Sequence, residues 1–372
     1  MNAWPEHALA AASHRDPYPY YLELARQGWA RDQRLGLWLA ASHAAASAVL
    51  ACPACRVRPL DEPAPAALAG LALGETFGCW LRMSEAPIHA PLRAAVAASL
   101  AAQEDERAQR RARDLARGFL AGAAPDGARL DALVDFLPAA TLASLLGWPE
   151  RSLLGWPERS LLGLSGQVAA WCRAVAADAG AAEREAGEAA CLALHAELAA
   201  LADAGWLARW RQEFGELGED ALRANLLGVL FQSRDAGAGL LAAGISWRCE
   251  GPWDWRAAAE WRRRLRADPV LHHTRRFVAE DATLAGQPLK AGDQVLVLLA
   301  AAARDPAGPG ESMDFGRGRH GCPGERLALA IARGALAALE EIGPDWRALG
   351  GGLVFRGPPN VRMRRFGAGD GR

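Results

Sequence analysis

The segment Phe315-Gly-Arg-Gly-Arg-His-Gly-Cys-Pro-Gly-Glu-Arg326 concentrates more reactive groups and more glycine than its surroundings. Pro323, just after Cys322, suits the first position of a helix, where no N–H is needed. Glu325 suits a first turn, where negative charge opposes the helix dipole. A helical run continues to Ile342 and meets a natural terminator in Gly343. These signals predict Cys322 at a helix N-cap, where unpaired backbone N–H groups and the dipole stabilise thiolate over thiol. Gly316, Gly318 and Gly321 let the preceding loop fold closely around something, and Arg317, Arg319 and His320 add positive charge. A shielded thiolate is one of the few protein ligands for haem iron. A nucleophilic cysteine, or an inert buried one, fits the same local chemistry.

Two other groupings could do chemistry. His89 and Arg93 stand at i and i+4, so they share one helix face and offer two donors to an anion such as a carboxylate. Around Leu226, Leu227, Leu230 and Phe231 a helix presents an apolar face, and adding four to the last two reaches Arg234 and Asp235. Charge on such a face is costly unless it is paired, used, or placed where the helix leaves the core. Ser233 lies beside the pair, and Gly237 and Gly239 would loosen the helix locally. Of the seven cysteines, Cys52-x-x-Cys55 reads as half a zinc site, a redox pair or, with no matching second pair, two incidental thiols.

The elements that must carry these groups are mostly helical. Runs rich in Ala, Leu, Arg and Glu predict helices at Pro91–Leu120, Ala181–Leu201, Glu219–Leu241 and Glu325–Ile342. Strand-like stretches are few: Gly36–Ala40, Gln294–Leu299 and Gly352–Phe355. The expected fold is mainly α with a small β portion, as a single domain over 1–372, since no Gly/Ser/Pro-rich linker divides it. Ser144–Arg151 recurs unchanged as Ser152–Arg159, and Ser160–Gly163 begins a third copy. It is too short for a solenoid repeat and carries a helix-breaking Pro, so it reads as a duplicated turn.

A hydrophobic content of 51% over 372 residues allows a sizeable core, and a net charge of −1 argues against nucleic-acid or polybasic membrane-surface partners. No apolar run approaches the roughly 20 residues of a membrane span. The polar start, with Glu6, His7, His14, Arg15 and Asp16, has no signal-peptide core, so a cytoplasmic location is expected.

Phe315-x-x-Gly318-x-x-x-Cys322-x-Gly324 resembles the haem-binding loop of the cytochrome P450 family, with a Phe seven residues before the cysteine. Asp16-Pro-Tyr-Pro-Tyr20 is similar to the first helix of bacterial members. Gly292-Asp293-x-Val295 through Arg304-Asp305-Pro306 is similar to the strand and turn after the family's K helix, and Gly357–Val361 to their C-terminal β segment. The resemblance implies the cytochrome P450 fold and haem b (iron-protoporphyrin IX). It makes Cys322 the metal ligand, within a cofactor loop that includes Phe315, Gly316 and Gly324. It matches His89, Arg93, Arg276 and His320 to propionate-binding positions and Asp235 to the distal acid, with Arg234 and Ser233 beside it. It further implies a small organic substrate, O₂, and electrons from a ferredoxin-type partner.

The pattern is broken in places. Ala236 stands where typical members have a Thr whose hydroxyl helps deliver protons. The K-helix Glu-x-x-Arg has Arg266 in place before Asp268-Pro269 but Arg263 at the Glu position; a literal Glu260-x-x-Arg263 lies one turn early. The meander is cut to Pro306–Asp314 and holds no Arg, and Gly239–Arg266 is shorter than the usual connection. A peroxide-using enzyme, or a silent scaffold binding haem or a partner, are therefore the alternatives. Segments Leu60–Trp80 and Gly163–Trp210, with Trp80, Trp171, Trp206 and Trp210, would line an apolar or aromatic substrate site.

Overall fold

The structure, a computed structural model, describes residues 4–59, 61–122, 124–148, 157–200 and 205–367. In chain order, the first elements are α1 (Tyr18–Gln27), β1 (Trp29–Asp32), β2 (Leu37–Ala40), α2 (His43–Ala51) and β3 (Cys55–Arg56). A helical series follows: α3 (Ala72–Gly78), α4 (His89–Ala101), α5 (Asp105–Leu120), α6 (Gly127–Leu145), α7 (Pro157–Ala174), α8 (Ala181–Ala200), α9 (Gly205–Phe214), α10 (Glu219–Glu250) and α11 (Ala258–Ala267). Next come β4 (Thr274–Val278), β5 (Ala282–Leu284), β6 (Gln287–Leu289), β7 (Gln294–Val297) and α12 (Leu299–Ala303). The last are α13 (Glu325–Ile342), α14 (Trp346–Gly350), β8 (Val354–Phe355) and β9 (Arg364–Arg365). The mainly α fold with a small β portion is borne out. Among the described residues, no helix is long and apolar enough to cross a membrane.

The chain divides into two compact units, one of residues 1–59, 242–322 and 345–372, the other of 60–241 and 323–344. The first holds every named strand. Its sheet has the order β1-β2-β7-β4-β3, with β2 and β7 parallel (Trp38 opposite Val295) and β4 antiparallel to β7 (Thr274 opposite Val297). Val295, Leu296 and Val297 are all buried, as a central strand covered on both faces requires. Gln294–Leu299 was expected as one strand; the strand stops at Val297, and Leu299 opens α12.

The second unit is helical. α5 carries Asp105 and Glu106 in its first turn and Arg117 in its last, matching the dipole, and buries Ala108, Ala112, Leu115, Ala116 and Leu120 along one stripe. That stripe packs on α13, where a Cβ at Gly334 would stand 2.2 Å from the Gln109 carbonyl, so only glycine permits the crossing. Pro91–Leu120 was expected as one helix but breaks at 102–104, where Glu104 turns to an extended conformation before the acidic start of α5. α10 runs nine residues past its expected end at Leu241, because Ala242 to Trp247 continue as buried helix. Of the repeat, the described parts end α6 and lie within α7; 149–156 fall outside the described residues.

Candidate functional site

Residues 315–322 form a tight loop in the first unit. The Cys322 N–H donates to the Phe315 carbonyl at 2.7 Å, and the Gly321 N–H to the Gly318 carbonyl at 3.0 Å. Gly316 and Gly318 have φ of +65° and +67°, a region costly for any side chain, and a Cβ at Gly318 would come within 3.0 Å of the Leu50 carbonyl. Cys322 is outside any disulfide and exposed. It is not the N-cap: α13 is capped by Gly324, whose carbonyl takes the first helical bond from Ala328 at 2.9 Å. Pro323 and Gly324 make a turn first, so the thiol stands two residues outside the helix and draws less from its dipole than expected.

Two anchors hold this loop. Arg319 donates from both terminal nitrogens, at 2.9 Å each, to the carbonyls of Cys52 and Cys55, tying it to the end of α2. Asp314, immediately before Phe315, is buried; it accepts from the Val270 and Leu271 N–H groups at 2.5 and 2.9 Å and from the Ser312 hydroxyl at 2.5 Å. Burial pushes the Asp314 carboxyl up to about 6, against the hydrogen bonds that favour its charge. Arg276, buried on β4, donates to Thr274 Oγ1 at 3.0 Å and the Arg275 carbonyl at 2.8 Å. Its charge and that of Arg319 both act on the Cys55 thiol.

The region of the broken Glu-x-x-Arg is organised around Asp268. This carboxylate receives Tyr18 Oη, Arg364 Nη2, Arg362 Nε at 3.1 Å and Trp247 Nε1 at 3.4 Å. Burial works against its charge, but Arg364, Arg362 and Tyr18 outweigh that and bring it to about 2. Glu260 and Arg263 do pair, at 2.8 Å, on an exposed face of α11. Arg266 reaches the shortened meander, since a Cβ at Gly310 would lie 2.7 Å from its Cζ. Neither Asp268 nor Asp314 was singled out by motif or period; their partners are up to 250 residues away in the chain.

In the second unit, His89 begins α4 and is buried, with Arg93 half-buried one turn later. On α10, residues 231–237 are all half-buried, between fully buried stretches on either side. That run contains Ser233, Arg234 and Asp235. Arg234 pairs with Asp235 itself and lies 3.9 Å from Asp135 of α6. Despite burial, Asp235, Cys172 and Asp135 raise the Arg234 pKa, while burial and Asp235 hold the Cys172 thiol well above its ordinary value. Sequence spacing gave no sign of Asp135 or Cys172, which come from other helices. The Ser233 hydroxyl donates to the Leu230 carbonyl at 2.7 Å. A Cβ at Gly237 would be 2.7 Å from Pro138 of α6, so the glycine admits that ring. Trp80, Trp171, Trp206 and Trp210 are all buried, and Trp80 and Trp171 pack on Phe231 with centroids at 4.4 and 5.8 Å.

The architecture is the cytochrome P450 fold, and the resemblance to that family is borne out. The crystal structure of CalO2 matches with a TM-score of 0.74 at 24% identity, covering 98% of this chain and 97% of that one. P450BioI, solved in complex with hexadec-9Z-enoic acid ligated acyl carrier protein, matches with a TM-score of 0.73 at 18% identity, covering 95% and 97%. In sequence, cytochrome P450 105C1 of a Streptomyces species is 41% identical over 96 residues, 22% of this chain and 25% of that protein. The matched stretch spans about a quarter of the length of the curated relatives. No family model matches the chain.

The residues present suit a haem. The loop closes its own backbone bonds and leaves an accessible cysteine sulfur, a ligand type that haem iron accepts. The imidazoles and guanidiniums named with it are the donors that propionate carboxylates take.

Proposed function

We propose that this chain is a cytoplasmic haem-thiolate monooxygenase that oxidises a small organic molecule with O₂ and electrons from a ferredoxin-type partner. The 315–322 loop, closed on itself and held through Asp314 and Arg319 beside an accessible Cys322, is the observation that carries this reading. Haem b, when bound, supplies the iron chemistry that activates oxygen. Cys322 would hold the iron, Phe315, Gly316 and Gly324 would shape the loop, and His89, Arg93, Arg276 and His320 would bind the propionates. Asp235 would hold or pass a proton at its carboxylate, with Arg234 fixing its orientation. Ser233 already donates to its own helix, which makes it a poor stand-in for the hydroxyl missing at Ala236.

That missing hydroxyl favours a second reading, in which peroxide is the oxidant and no redox partner is needed. The test is turnover of candidate organic substrates by the haemin-loaded chain, with ferredoxin, reductase and isotopically labelled O₂ in one arm and hydrogen peroxide in the other. Label in the product of the first arm is the expected result. Turnover with peroxide alone would establish the second reading, and stoichiometric haem with no turnover in either arm would make the chain a scaffold.

A further inference from the structure

Cys52 and Cys55 take no part in the proposed reaction, yet they occupy one of the two anchors of the iron-binding loop. α2 ends at Ala51, and Cys52-Pro-Ala-Cys55 then makes a turn in which the Cys55 N–H donates to the Cys52 carbonyl at 3.2 Å. A turn closed in this way keeps its first and fourth Cα atoms within about 7 Å, close to the separations that disulfides span. The two thiols act on one another, Cys52 helping to raise the Cys55 pKa, and both are reduced. Cys55 is buried and fixed from the other side, where β3 pairs it with Val278 of β4; Cys52 is half-buried and open to a small oxidant. The carbonyls of these same two residues receive the Arg319 guanidinium.

We propose that Cys52 and Cys55 form a reversible disulfide whose closure is relayed through Arg319 to the 315–322 loop. With hydrogen peroxide as oxidant, Cys52 Sγ attacks one peroxide oxygen, the O–O bond breaks, and a sulfenic acid and one water result. Cys55 Sγ then attacks the Cys52 sulfur, the S–O bond breaks, and a second water leaves with the remaining thiol proton. Two thiols are oxidised by two electrons and one peroxide is reduced to two waters. The order follows from access: Cys52 is half-buried and meets the oxidant first, while Cys55 is buried, its thiol pushed up to about 12, and meets only the neighbouring sulfur. Closure removes the freedom of the turn and fixes two carbonyl oxygens at the spacing of the guanidinium fork, so the loop is held more firmly when the pair is oxidised.

The test uses the full chain treated with stoichiometric hydrogen peroxide, then alkylated with iodoacetamide and digested with trypsin. Both cysteines fall in one peptide, Leu35–Arg56. That peptide should appear lighter by two hydrogens and unalkylated, regain two alkyl groups after dithiothreitol, and in Cys55→Ser trap a sulfenic acid on Cys52 that reacts with dimedone. Hydrogen exchange at the Gly321 and Cys322 amides should slow several-fold on oxidation in the native chain and be unchanged by oxidation in Arg319→Gln. Two alkyl groups on the peptide after peroxide, or equal exchange of the loop amides in the oxidised and reduced native chain, would overturn the proposal.

Discussion

Asp268 and Asp314 both serve the short stretch between α11 and β4, one at its start and one reaching its backbone from just before the 315–322 loop, yet they are held in opposite ways. Asp268 is met by two guanidiniums, those of Arg362 and Arg364, with side chains 3% and 1% exposed, and stays charged down to about pH 2. Asp314 is met by two amide N–H groups and a hydroxyl, and its burial brings it to about 6. Full charges offset the cost of removing a carboxylate from water; neutral donors, even good ones, offset only part of it. Where the family resemblance leads one to expect a K-helix Glu-x-x-Arg pair, this region holds two devices. An ion cluster joins α1, α11 and the C-terminal strand region, and a backbone clasp fixes the loop.

The largest effect expected is at the ion cluster. Asp268→Ala leaves two buried guanidiniums without their carboxylate and should cost about 3–5 kcal/mol in chemical denaturation. The low end is expected, because Arg362 keeps the His14 and Arg15 carbonyls at 2.8 and 3.0 Å. A loss below about 1 kcal/mol would mean that the cluster is not a brace.

At the clasp the effect is smaller and depends on pH. Asp314 has a pKa raised from 3.8 to about 6, so the folded chain binds this proton more tightly than the unfolded chain does. Its contribution therefore favours folding as pH falls from about 7 towards 4. Asp268, lowered to about 2, contributes stability above pH 4 that is lost as pH falls through about 2. Asp314→Asn can keep the acceptor oxygen for Val270 and Leu271 while removing the titration. Denaturation series between pH 4 and 7 should show the native chain's gain on acidification and a flatter profile in the variant. Parallel profiles would break the contrast drawn between the two carboxylates. Glu260→Gln should change nothing measurable in either stability or haem retention, since its pair with Arg263 is on an exposed face; a clear loss there would restore the literal Glu-x-x-Arg as the working brace.

The sequence made legible what is local. The glycines at 316 and 318, the phenylalanine at 315 and the cysteine at 322 fix a short loop by their own spacing, and the fold follows from helix-forming runs with a few β-branched stretches. The N-cap was misplaced by two residues because Pro323 is equally at home in a turn. Helix α10 was cut short because Leu241 ends the stretch read as amphipathic, whereas the helix continues fully buried, where periodicity gives no signal. Arg234 and Asp235 were visible as misplaced charge, but Asp135 and Cys172 reach them from other helices. Asp268 and Asp314 were visible only as the flank of a proline and the end of a meander without arginine. Their roles depend on pairings across the chain that no local pattern encodes.

The most direct test of Cys322 as the iron ligand is the absorption spectrum of the haemin-loaded chain, reduced and exposed to carbon monoxide. The strongly red-shifted Soret band of a thiolate-ligated iron should appear in the native chain and disappear in Cys322→Ser, with far-UV circular dichroism unchanged. A native chain that stays colourless after haemin, or one whose Soret band is the same with serine at 322, would contradict the assignment.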